Sequence, residues 1–464
     1  MDLTYTFSRM LPLAVLLLLA ACGGKKEEAG GETAAVESAV VESSQGTDAG
    51  EAAEDVDGAA DMDAVAKAYV QLVLQLGNHD QSYVDAYYGP AEWKHAAAGS
   101  DATPADIARR AKQLQEQLPA DIPADGAIEN LRAHYLKTQL RAVQAHAEAL
   151  ANGGERSFER EAQLLYDTRP PRHSFAEFES VLAELDTLLP GEKPLHLRVQ
   201  EFQQKFEIPA DKLAAVFDAA IDACRERTKK HIQLPADENF VLEYVTDKPW
   251  SGYNWYQGKA QSLIQVNTEL PIMIDRAIDL GCHEGYPGHH TYNALLEDEL
   301  ANKRGWVEYS VYPLFSPQSL IAEGSANYGI DLAFPGEEKL RFEREVLYPL
   351  AGLDPADAEK YDRVLDLLAE LKFAENEVAR QYIDGEIDGD KAVELFQQYT
   401  LMSPEKAKQR KRFVDAYGAY VINYNWGKQL VREYVEEGAD SQDERWQRFG
   451  KLLSSPRLPS SLNW

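Results

Sequence analysis

Three of the ten histidines fall within residues 281–290, Gly-Cys-His-Glu-Gly-Tyr-Pro-Gly-His-His, and a glutamate directly follows the first of them. Neutral imidazole is a common metal ligand, and a carboxylate beside it can act as general base on a metal-bound water. The metal-binding pattern His-Glu-x-x-His places its two histidines one helical turn apart. Here the residue four after His283 is Pro287, which offers no ligand atom. Removing Pro287 and Gly288 would move His289 into that position, so the stretch reads as such a helix carrying a two-residue insertion.

The insertion has a physical consequence. On an unbroken helix His283 and His289 would lie about 120° out of alignment. Proline lacks an amide proton and turns Tyr286 away from helical angles, so the helix should break or bulge there. Across that break the two histidines can converge as ligands. His290 would share the face of His283 but lie roughly 10 Å along the axis, which gives it a role behind the ligands or facing substrate. Glu284 is then the general base. A gluzincin-type site takes a third ligand, usually a glutamate from a following helix. Glu323, the lone acid in Leu-Ile-Ala-Glu-Gly-Ser-Ala-Asn-Tyr, is the candidate, since an unpaired carboxylate in an apolar run is costly to bury. The competing reading makes the histidines helix-end residues and Glu323 a surface acid; two motifs together favour the metal.

His-Glu-Gly-Tyr-Pro-Gly-His-His followed by Ala-Glu-Gly-Ser-Ala-Asn-Tyr resembles the bacterial family known as domain of unknown function 885. Its members are similar to gluzincin metallopeptidases, and many are lipoproteins. The family's His-Glu-x-x-Pro-Gly-His-His falls on His283, Glu284, Pro287, Gly288, His289 and His290, and its Glu-Gly-x-Ala on Glu323, Gly324 and Ala326. The resemblance implies a largely helical fold and a zinc hydrolase. It names no substrate, and members often carry a longer helical region at the N-terminus.

Arg9 precedes an apolar run at residues 11–19 that is too short to span a bilayer. The run ends in Leu-Ala-Ala-Cys-Gly, which looks like a lipobox, so residues 1–21 read as a lipoprotein signal peptide and Cys22 as the lipidated first mature residue. Gly23, where an aspartate would retain the protein in the inner membrane, points by resemblance to the outer membrane of a Gram-negative cell, facing the periplasm. Residues 22–62 are rich in Glu, Asp, Ala, Gly and Ser and contain no aromatic residue. Such a segment reads as a disordered acidic tether. Across the chain 77 acidic residues face 47 basic ones, a net charge of −30. That balance argues against nucleic acid as a partner and against peripheral binding to anionic lipid, leaving the acyl chains as the membrane attachment.

Residues 63–464 predict a mainly α, multi-helix gluzincin-like metallopeptidase domain with a small β-sheet beside the metal-binding helix. Val65, Tyr69, Leu72 and Leu76 share one helical face, and Ile107, Ala111, Leu114 and Leu118 another. Thr103 with Asp106 marks a helix start, and Ser174 with Glu177 a capping box. Residues 240–245 and 262–267 read as strands, with an aromatic turn at 250–258 between them. Pro271 fits the first turn of the helix carrying His283. The residues beyond Pro335 read as helical to about Gly438, with Phe413, Tyr417, Tyr420 and Tyr424 near one face. Cys282 reads as a small buried apolar residue; the spacing does not decide whether it pairs with Cys224.

Taken together, these features point to a zinc-dependent hydrolase, chiefly of peptides. The catalytic candidates are Glu284, His290 and Tyr420, the last for stabilising an oxyanion. Tyr253 and Asn267 are candidate substrate-binding side chains, because a strand beside the metal of a gluzincin pairs with extended peptide and the resemblance implies that role here; Tyr424, from the aromatic stripe, is the third. Two rivals are a metal hydrolase of non-peptide amides or esters, and a binding lipoprotein that has no need of Glu284. The oligomeric state is not legible. Lipidation gives the first prediction: Cys22→Ser moves the protein from the membrane to the soluble fraction with its melting temperature unchanged. Firm membrane retention on fractionation would place the attachment elsewhere.

Overall fold

The structure is a computed structural model that describes residues 61–123, 126–153, 156–248 and 250–462. The signal peptide, Cys22 and all of the tether before Asp61 lie outside the described residues. Asp61 already belongs to the folded chain: its side chain caps the helix Met62–Leu76, accepting from the amides of Asp63 and Ala64. Val65, Tyr69, Leu72 and Leu76 are buried on the inner face of that helix, as their spacing requires.

The fold is mainly α, with two small sheets. Its longest helices are Ile128–Asn152 and Ala358–Ile383. The helix Pro104–Gln117 starts where expected, with Thr103 and Asp106 bonded reciprocally, and Ser174 and Glu177 do the same before Phe175–Leu188. Among the described residues no helix is long and apolar enough to cross a membrane.

A two-stranded sheet pairs β1 (Val84–Tyr87) antiparallel with β5 (Val311–Pro313). A three-stranded sheet has the order β2 (Asn239–Val245), β4 (Gln261–Asn267), β3 (Gly252–Gly258), parallel between β2 and β4 and antiparallel between β3 and β4. Residues 250–258 are therefore more than a turn: most of them form an edge strand. The tight connection is Lys259–Ala260, where φ is +56° and +52°. Two-residue hairpins need this left-handed pair and usually take it with Asn-Gly or Gly-Gly. Here the buried carboxylate of Glu297 supplies the compensation. It accepts from the amides of Lys259 at 2.8 Å and Ala260 at 3.0 Å, and from the hydroxyl of Tyr256.

Two further expectations are corrected, and a pairing left open is found. Pro271 does not enter a helix: Ile272 and Ile274 pair with Ile208 and Phe206, and the helix begins at Asp275. The aromatic stripe of residues 413–424 does not lie on one continuous helix. Pro404–Tyr417 ends at Gly418, with φ +58°, and a short 3-10 turn at Gly418–Val421 precedes the helix Ile422–Glu436. Cys282 is buried as expected but as half of a disulfide with Cys224, with Cα atoms 5.5 Å apart, which ties the helix Leu213–His231 to the residue before His283.

Glu297 gives the prediction of this section. Glu297→Ala strands two buried amides and a phenol, and should lower unfolding stability by at least about 2 kcal/mol in urea titration. A loss below about 0.5 kcal/mol would mean the turn holds without it.

Candidate metal centre

The helix Asp275–Leu280 does not run regularly into the histidines. It widens into a π-type turn at Gly281–Gly285, passes the cis bond between Tyr286 and Pro287, and resumes as the helix His289–Leu296. Tyr286 is extended, φ −123° and ψ 119°, as a residue before proline prefers. Gly288 closes the loop by donating its amide to the carbonyl of Cys282 at 3.0 Å. A Cβ there would stand 1.8 Å from the carbonyl oxygen of His283, so only glycine fits. The break brings Nε2 of His283 to 3.1 Å from Nε2 of His289.

Glu323 reaches the same point from the largely buried helix Pro317–Ala333. Its Oε2 lies 3.4 Å from Nε2 of His283 and 3.7 Å from Nε2 of His289. The next residue, Gly324, lets this helix touch Ile422–Glu436 backbone to backbone: a Cβ on Gly324 would stand 2.4 Å from the carbonyl oxygen of Gly427. That approach carries Tyr420 to the site, where its hydroxyl donates to Oε1 of Glu323 at 2.9 Å. The other oxygen, Oε2, is buried and makes no hydrogen bond of ordinary length.

These three side chains fit a metal ion. A tetrahedral ion with bonds of about 2.0–2.1 Å holds its ligand atoms roughly 3.3 Å apart. The triangle here has edges of 3.1, 3.4 and 3.7 Å. A buried, unbonded carboxylate oxygen facing two imidazole nitrogens is costly unless a cation sits among them. It is the one such group of ligand atoms among the described residues. Burial alone would raise the pKa of Glu323, yet the adjoining His283 and His289 hold it well below the usual carboxylate range. Burial opposes the charge on His289, but the bond to Glu323 and the charges of Glu323, Glu284 and Asp85 outweigh it and push its pKa up to about 9.

Glu284 is buried beside the cluster. Its carbonyl oxygen accepts from Nδ2 of Asn254 on β3 at 2.6 Å, which fixes it against that edge strand. Its carboxylate makes no hydrogen bond or ion pair among the described residues. Tyr253, also on β3, donates its hydroxyl to Asp85 on β1. Asp85 is a candidate that the sequence reading did not single out. Burial pushes its pKa up to about 6 against the bond from Tyr253, and the charge of His289 lowers it while those of Glu323 and Glu284 raise it further. The only local signal was an acid among four tyrosine and valine neighbours.

Other candidates lie elsewhere. His290 does not face substrate: it is fully buried, with Nδ1 2.8 Å from Oγ of Ser262 and Nε2 3.2 Å from Glu238. Glu238 also accepts from the hydroxyl of Tyr286 at 2.5 Å and from Arg225 at 2.7 Å. Burial notwithstanding, these three donors hold its pKa at about 2. The network braces the turn from behind. Tyr420 does not present a free hydroxyl for an oxyanion, since it aims Glu323. The amide of Asn267 closes the loop before β3, donating to the carbonyls of Lys248 at 2.9 Å and Trp250 at 3.1 Å, and so is not available to substrate. Tyr424 packs its ring 5.8 Å from that of Tyr420 at the protein surface.

Metal analysis tests the assignment. The purified protein should hold about one zinc per chain, and His283→Ala and Glu323→Ala should lose it. His290→Ala should keep the metal while lowering thermal stability. Full zinc in the first two variants, or loss in the third alone, would overturn the ligand set.

Compared by sequence, the chain matches no protein-family model and no curated protein. The resemblance to family 885 thus stands on its two motifs. By structure the chain is similar to a candidate lipoprotein from Colwellia psychrerythraea, with 13% identity over 86% of this chain and 88% of that one and a TM-score of 0.51. It is also similar to a candidate lipoprotein of unknown function from Shewanella oneidensis, with 14% identity over 80% and 75% of the chains and a TM-score of 0.46. For the M32 carboxypeptidase from Deinococcus radiodurans R1 the values are 12% identity, 84% and 88% coverage, and a TM-score of 0.32. At these identities the likeness is one of fold, and the first of the three shows it.

Proposed function

We propose that the chain is a zinc-dependent hydrolase of peptide bonds, held at the cell envelope by lipid on Cys22, with residues 63–464 as its catalytic domain. The observation that supports it most is the triangle of His283, His289 and Glu323, with the carboxylate of Glu284, unpartnered among the described residues, beside it. Two imidazoles and one carboxylate suit zinc and leave a coordination position open, as catalysis requires. The disulfide at Cys282 suits an exported protein.

Zinc, when bound, polarises the scissile carbonyl and acidifies the water that attacks it. The remaining work belongs to the chain. Tyr420 holds one oxygen of Glu323, so the other stays directed at the histidines. Glu284 takes the proton of the attacking water and returns it to the leaving amine. Its carboxylate is suited to that work because, among the described residues, no neighbour occupies its lone pairs. β3 is the edge of its sheet and lies against Glu284, so an extended peptide can add to it as a further strand.

Glu284→Gln separates catalyst from binder. It keeps size and hydrogen-bonding reach but removes the base, so zinc content and melting temperature should stay near those of the unsubstituted protein. Turnover of peptides should fall by ~10²–10⁴ while substrate affinity survives. Cleavage at the original rate by the zinc-loaded variant would remove Glu284 from the mechanism. A panel in which only esters or non-peptide amides are cleaved would replace the peptide reading.

A further inference from the structure

The charges around the centre do not balance. Glu323, Glu284 and Asp85 stand within electrostatic reach of one another and of His289. Three carboxylates around one divalent ion and two neutral imidazoles leave one negative charge uncompensated. Glu284 is more than nine-tenths buried, and neither it nor Asp85 forms an ion pair among the described residues. Buried carboxylates are ordinarily matched by a cation or a metal.

Asp85 is the one placed to receive that cation. Tyr253 donates to its Oδ1, which orients the carboxylate, while Oδ2 has no partner among the described residues. The charge of Asp85 raises the pKa of Tyr312, Tyr417 and Tyr420, so these three phenols lie within its electrostatic reach. Tyr253 belongs to the strand that runs beside Glu284: a Cβ on Gly252 would stand 3.2 Å from Oε1 of that residue. Neighbouring residues of β3 thus reach Glu284 and Asp85.

We infer that Asp85, oriented by Tyr253, is a specificity residue that binds an ammonium group of the substrate close to the scissile bond. This rests on the hydrolase reading above. The ammonium is either the free α-amino group of a peptide trimmed from its N-terminus or the side chain of a lysine flanking the bond.

The test uses zinc-loaded protein and matched peptides: one with a free N-terminus, its N-acetylated twin, and an acetylated pair with lysine or norleucine on either side of the cleaved bond. Cationic peptides should be favoured roughly 10- to 100-fold in kcat/KM, mainly through KM, the scale of one charged hydrogen bond. Preference for the free terminus assigns the α-amine, and preference for lysine over norleucine assigns the side chain. Asp85→Asn should bring the ratio to about one with zinc content unchanged, and Tyr253→Phe should reduce it in part. An unchanged ratio in Asp85→Asn, or equal cleavage of every pair by the unsubstituted protein, overturns the inference. Calorimetric binding to the zinc-loaded Glu284→Gln protein repeats the comparison without turnover. If no peptide is cleaved, the hydrolase reading fails while this arm still decides for or against Asp85, and equal binding of both twins decides against it.

Discussion

Two imidazole nitrogens 3.1 Å apart, with a buried carboxylate oxygen within 3.7 Å of both, form an arrangement that repels itself or traps protons unless an ion fills it. Holding three such atoms together needs a scaffold that cannot relax. The π-type turn, Pro287 and Gly288 set the separation of the histidines on one side. On the other, the glycine contact between residues 324 and 427 lets two helices close until Tyr420 reaches Glu323. Neither device works alone, since the histidines come from one chain segment and the carboxylate from another.

Behind the turn lies a second, buried polar layer. Arg225, Tyr286 and His290 all converge on Glu238, and Ser262 on the central strand holds the other nitrogen of His290. Removing one member of a buried charged network typically costs about 3–5 kcal/mol, because a charge is left without its partner. The same strand carries the sheet whose edge lies against Glu284. The disulfide at Cys282 anchors the start of the turn to a neighbouring helix. The sheet, the disulfide and the Glu238 network therefore meet at one short loop.

The helical class and the segments holding His283, His289 and Glu323 were legible because their signals are local: apolar spacing, a motif, a lone acid among small residues. What escaped the sequence depended on distant partners. β3 was hidden because Lys259 and Ala260 give no hairpin signature, and the carboxylate that holds them is Glu297, far along the chain. Of the two roles open to His290, the one behind the ligands holds, since the π-type turn directs it to Ser262 on the sheet and to Glu238. Asn267 and Tyr420 have the right chemistry for substrate, but their polar atoms are engaged by a loop and by Glu323. Asp85 has its partners on distant segments: a tyrosine on another strand and a cluster built from two other parts of the chain.

The account stands or falls on what surrounds the ion. X-ray absorption at the zinc edge of the loaded protein reads this directly. The account predicts four nitrogen or oxygen ligands at about 2.0–2.1 Å, with the multiple scattering of two imidazoles and no sulfur. A sulfur shell near about 2.3 Å, or a third imidazole, would contradict it.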